Sequence, residues 1–222
     1  MNRLIYIVLL LTFPCLIPSV SATWLSPDPL MDKYPHISPY AYCNWNPMKY
    51  TDPDGNRIII VPNGIFEITA QKIGLSIGYV KQVQQDIGLL KQADPIVRDM
   101  IVNLEESKYD HVIRFPKNKW NKASPISREA FLNHERQGSF IDYDPNNMET
   151  KRGAKRTPRV GLGHELQHSL DIDQGTGSIE KVNDIPLMEI KAINMENKVR
   201  QQTGDSKRTE YGEKKIPANL LD

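Results

Sequence analysis

Apolar positions along this chain recur with two different periods, and together they predict helices interleaved with short strands. Val80, Val83, Ile87 and Leu90 follow a 3-4-3 spacing that lines up one face of a helix. Val97, Ile101 and Leu104 continue it beyond Pro95, and a proline closes one helix and opens the next, so two helices are expected. Arg57 to Val61 is a β-branched run that reads as a strand, while His111 to Phe115 and Ser139 to Tyr143 alternate as strands do. Leu162, Leu166 and Leu170 return every four residues as the stripe of a third helix. Glu189, Ile193, Glu196 and Arg200 line one side of a fourth, with a favourable Glu196 to Arg200 pair. The segment Asp173 to Asp184 between them holds Gly175, Gly177 and Asn183, turn residues that let the two helices fold back antiparallel. The order is that of an α+β domain over residues 57 to 222, a length that suits one domain, without repeats.

The third helix carries the candidate chemistry. His164-Glu165-Leu166-Gln167-His168 is an H-E-x-x-H pentad, and residues four apart on a helix lie one turn above each other. Both imidazoles therefore reach one metal ion with Glu165 beside it, on a face other than the leucine stripe. Burying two histidines and a glutamate is costly unless they have partners, which favours a site over an incidental polar face.

Catalytic zinc takes three protein ligands and leaves one position open. The metzincin form is excluded, because Ser169, Leu170 and Asp171 follow His168 without the required glycine and third histidine. A carboxylate remains, and Glu189 at the start of the fourth helix is the leading candidate, with Asp171, Asp173 and Asp205 as rivals. At such a centre Zn²⁺ lowers the pKa of water to about 7 and polarises a carbonyl, and Glu165 acts as general base. The expected oxyanion donor is Tyr211, with Arg208 and His134 behind it.

His-Glu-Leu-x-His followed by Glu189-Ile190-Lys191-Ala192 resembles the gluzincins, in which the third zinc ligand is a glutamate on a second helix. The fuller run, Gly163 to His168 through Glu189, Ala192, Glu196-Asn197, Arg200, Gly204 and Arg208 to Tyr211, is similar to the NleD-like effector zinc peptidases. Gly138 to Pro145 looks like that family's edge strand, which runs beside the cleft and pairs with extended substrate. The resemblance implies a zincin-like fold with a small edge sheet, a zinc endopeptidase activity, and metal ligands His164, His168 and Glu189.

A second resemblance lies in residues 23 to 56. Trp24 to Leu30, Tyr34 to Pro47 and Asp52-Pro53-Asp54-Gly55 look like the close of an RHS-repeat core, whose variable C-terminal partner is a toxin. Upstream, Arg3 precedes the apolar run Leu4 to Ile17, and Val20-Ser21-Ala22 offers a signal-peptidase site, so residues 1 to 22 read as a secretory signal and not a stable membrane anchor. Its removal leaves Cys43 as the only cysteine, which precludes an intramolecular disulfide. Together the resemblances imply a secreted toxin that cleaves a protein in a host or competitor cell and is countered by an immunity protein. A net charge of +1 argues against a protein built for nucleic acid. The basic run Lys151-Arg152, Lys155-Arg156 and Arg159 reads as a solvated loop, with a substrate contact as the alternative.

Overall fold

The computed structural model describes residues 58–72, 75–150 and 155–222; the signal and RHS readings, Arg57 and the first part of the basic run lie outside them. Strand β1 (Ile58–Ile60) is followed by helices α1 (Ile65–Lys72), α2 (Gly78–Ala93) and α3 (Pro95–Glu105), then β2 (His111–Arg114), β3 (Lys122–Pro125), the short α4 (Arg128–Leu132) and β4 (Ser139–Asp142). The long helix α5 (Pro158–Gln174), the hairpin β5 (Lys181–Val182) and β6 (Ile185–Pro186), helix α6 (Leu187–Thr203) and the hairpin β7 (Glu210–Tyr211) and β8 (Lys214–Lys215) complete an α+β fold.

The main sheet has the order β1-β2-β4-β3, with β1, β2 and β4 parallel and β3 antiparallel at the edge. The edge is not where the sequence put it. β4 lies inside the sheet, paired with β2 through Ile113 and Ile141 and with β3 through Ala123 and Ile141. Lys122-Ala123-Ser124-Pro125 escapes a propensity reading because it has no β-branched residue and ends in proline, which an edge strand tolerates and an inner one does not.

Helices α2 and α3 enter the core through the residues whose spacing predicted them. Val80, Val83, Ile87 and Leu90 are buried on α2, and Val97, Met100, Ile101 and Leu104 on α3. Asp94 caps α3, accepting from Ile96 N–H at 2.7 Å, and Pro95 sits in the first turn where its missing N–H costs nothing. These side chains form one core with Ile58, Ile113, Ile141, Leu162 and Leu166, and Leu170 packs on its margin. Helix α5 thus lies under the sheet with its leucine stripe inward.

Helix α5 ends at Gly175, whose left-handed φ of 66° places its N–H on the carbonyl of Ile172. A side chain there would also meet the His134 carbonyl at 2.3 Å, so glycine is required twice over. The turn-rich segment then forms the β5–β6 hairpin, an element the sequence reading did not anticipate, with Asn183 and Asp184 both at positive φ. Glu189 pairs with His168, and Glu196 with His164, so α6 runs back antiparallel to α5. Ile185, Ile190, Ile193 and Ile216 form a second, smaller core beneath it.

Further order comes from a buried polar chain at this C-terminal end of α5. His111 lies between Ser139 Oγ, 2.9 Å from Nδ1, and Asp173 Oδ1, 3.3 Å from Nε2, and Ser107 also donates to Asp173. Ser139 and His111 are fully buried, so this trio clamps β2, β4 and α5 together. Among the described residues no helix is long and apolar enough to cross a membrane.

Candidate metal centre

His164 and His168 stand one turn apart on α5, their rings edge to face with centroids 4.8 Å apart and their Nε2 atoms 3.2 Å apart. Glu189 in the first turn of α6 brings Oε2 within 3.4 Å of His164 Nε2 and Oε1 within 3.5 Å of His168 Nε2. Two ligands at zinc distances of about 2.05 Å and a tetrahedral angle lie about 3.3 Å from each other. The two histidine nitrogens stand at about that separation and each meets a different Glu189 oxygen at close to it; with one donor atom per residue the three lie within 4.8 Å of one another. His164, His168 and Glu189 form a cluster that could hold a metal ion.

A second carboxylate supports the first histidine. His164 Nδ1 lies 2.9 Å from Glu196 Oε2, and because a carboxylate only accepts, Nδ1 carries a hydrogen and Nε2, which faces Glu189, is the nitrogen whose proton a metal ion would displace. Glu196 is 1% exposed and also accepts from Arg200 Nε and Nη2 at 2.9 and 2.7 Å and from Arg208 Nη1 at 3.0 Å. Burial pushes its carboxyl up, but the His164 bond and the two guanidinium charges outweigh that and hold it well below the usual carboxylate range. Glu189 behaves alike, with the His164 and His168 bonds overcoming burial. Burial likewise lowers the His164 imidazole, and the bonds to Glu189 and Glu196 raise it further than burial lowers it. The raised imidazole reports the negative charge of the carboxylates around it, which favours a cation there, and the lowered carboxyls keep Glu189 and Glu196 ionised to supply that charge. His168 Nδ1 has no partner among the described residues, so its tautomer is set by what Nε2 meets.

These groups line a cleft of about 650 Å³ together with Trp120, Lys122, Ala123, Arg208 and Tyr211. Glu165 lies in the cleft wall, 8% exposed, and its Oε2 accepts from the Ala123 N–H of edge strand β3 at 2.7 Å. Tyr211 reaches the cleft from the β7–β8 hairpin, with Arg208 near its ring. Arg208 is tied to Glu196 and to the Glu210 carbonyl. His134 is exposed and does not line the cleft.

The rival carboxylates are engaged elsewhere. Asp171 accepts from Gln167, Thr176 and Lys191, Asp173 belongs to the His111 clamp, and Asp205 accepts from Thr157 and Thr203. Two residues of the site were missed. Glu196 was read only as the partner of Arg200, although its place two turns after Glu189 on the same side was a signal for a role at the same histidines. Arg156 departs from the solvated-loop reading, being 8% exposed and part of the cleft wall. The side chain that would have excluded it is missing at Gly161, a long-range relation that local charge patterning does not reveal. Lys155 is exposed and Arg159 half-buried. No family model matches the chain, and neither a curated protein nor a solved structure shows significant similarity to it.

Proposed function

We propose that the chain is a zinc peptidase of zincin-like fold that hydrolyses a peptide bond in a protein substrate. The observation that carries this reading is the donor triangle of His164, His168 and Glu189, open to a cleft that also holds Glu165. Its nitrogen-oxygen donor set fits zinc. When bound there, zinc would supply Lewis acidity, drawing a proton from water and polarising the scissile carbonyl.

The remaining work falls to the protein. Glu165 is the general base, taking the water proton at Oε1 while the Ala123 N–H holds Oε2, and delivering it to the leaving amine. Edge strand β3 lies beside the cleft, so an extended substrate adds to it as a further strand. Glu196 fixes the His164 tautomer from behind. Tyr211 is the oxyanion donor by its place in the cleft, since the Arg208 guanidinium is committed to Glu196. The resemblances of residues 24 to 55 and 163 to 211 support a secreted bacterial effector whose substrate is a protein of a target cell and whose partner is an immunity protein.

Elemental analysis of the full chain beside His168→Ala and Glu189→Ala tests the metal site. One zinc per chain, lost in both variants, is expected; a wild-type protein without zinc after zinc-replete purification would point to an inert interaction module instead. Glu165→Gln should keep its zinc and lose cleavage of a peptide mixture, and full cleavage by that variant would overturn the base assignment.

A further inference from the structure

Arg156 is a buried cation with unmet hydrogen-bond donors. Its side chain is 8% exposed, and its Nε and Nη1 find no hydrogen-bond partner among the described residues. A guanidinium stays charged in a protein, and burying an unpaired charge is costly unless something compensates it. The charges of Glu196 and Glu165 act on it, but burial outweighs them and neither accepts from its Nε or Nη1. Glu196 already accepts from Arg200, Arg208 and His164, and Glu165 Oε2 is held by Ala123. The cleft wall thus contains a buried guanidinium of which two N–H-bearing nitrogens have no acceptor among the described residues.

Its place along the reaction face follows from Gly161. A Cβ on that residue would fall 1.3 Å from Arg156 Nη1 and 2.2 Å from Cζ, so the guanidinium occupies the volume of the missing side chain. Gly161 precedes Glu165 by four residues and His164 by three, which puts Arg156 on the catalytic face of α5, about 6 Å along the axis from the general base. An extended peptide advances about 3.3 Å per residue, so that offset matches a side chain one or two positions from the scissile bond.

From this geometry we infer that Arg156 determines specificity, its buried guanidinium receiving the carboxylate of an acidic substrate side chain flanking the cleaved bond. The inference rests on the peptidase reading and adds the substrate class. A carboxylate in the cleft supplies the missing counter-charge, and an edge of the guanidinium takes it in a bidentate manner. Neutral amides leave one N–H facing another, and a lysine side chain is repelled.

The test uses the zinc-loaded full chain and a mixture of peptides spanning all residue types, with cleavage sites read by mass spectrometry. Wild type is expected to enrich Asp and Glu at one position beside the bond. It should cleave the best acidic peptide about 10- to 100-fold more efficiently in kcat/KM than its Asn or Gln counterpart. That ratio should collapse towards unity in Arg156→Gln. It should collapse also in Gly161→Ala, where the new methyl displaces only the flexible end of Arg156 and alanine is a good helix former. A readout independent of turnover comes from Glu165→Gln, which should bind the acidic peptide more tightly than its amide counterpart, a difference absent from the Glu165→Gln, Arg156→Gln double variant. Absence of acidic enrichment in wild type, or its survival in both Arg156→Gln and Gly161→Ala, overturns the assignment and leaves the peptidase standing. Loss of the effect on amidating the peptide C-terminus overturns the side-chain assignment in favour of a terminal carboxylate. A wild type that holds zinc and cleaves nothing refutes the peptidase reading, and the inference with it.

Discussion

Replacing Glu196 by glutamine isolates what holds the first histidine. The carboxylate divides its acceptors, with Oε1 taking both Arg200 bonds and Oε2 taking His164 Nδ1 and Arg208. Glutamine keeps one oxygen and turns the other into a donor. Each bond to a charged group is worth about 1.5–3 kcal/mol, so the amide oxygen should stay with the Arg200 fork, where two such bonds meet it. The amide nitrogen then faces His164 Nδ1, which must become an acceptor, and the hydrogen moves to Nε2, into the donor triangle. Support of this kind usually contributes 10- to 100-fold in metal affinity, so Glu196→Gln should lose about 1.4–2.7 kcal/mol of zinc binding. Competition against a chromogenic chelator measures the affinity, and urea unfolding of stripped and zinc-loaded protein should show the zinc-induced stabilisation falling by the same amount. If the stripped variant is destabilised but binds zinc as tightly as wild type, Glu196 serves only as a buried ion-pair partner and the reasoning fails.

Leu166→Ala, on the fully buried stripe of α5, should cost about 2–5 kcal/mol in urea unfolding, whereas the exposed Ile179→Ala should stay within about 0.5 kcal/mol; similar values for both would contradict the core described. Burial raises the Asp173 carboxyl, but the bonds from His111 and Ser107 lower it further, leaving its folded pKa below the unfolded value of about 3.9. Its contribution is therefore present above that value and lost as pH falls through the folded pKa, so Asp173→Asn should be less stable at pH 7 with the gap closing below about pH 4, and a gap independent of pH would refute the linkage. Tyr211→Phe should lower kcat about 100-fold with zinc content and the peptide KM little changed; an unaltered kcat would remove it from the reaction.

The pentad, the leucine stripe and the 3-4-3 helices were legible because each is a local periodicity, and a helix turns local spacing into a shared face whatever surrounds it. The sequence alone thus determined the α+β order, the two histidines with Glu165 between them, and Glu189 as the leading third donor among four carboxylates. Only the tertiary structure showed that Glu189 and not its rivals stands beside the two histidines, because that depends on how the β5–β6 hairpin returns α6 across α5, and neither element carries that distance in its own pattern. It also moved the edge of the sheet from Ser139–Asp142 to Lys122–Pro125, since strand order is a matter of pairing and not of propensity. Arg156 shows the same limit most plainly: a charge that reads as solvated by its neighbours in sequence is buried in the cleft by an absent side chain at Gly161, a relation that exists only once the chain has folded.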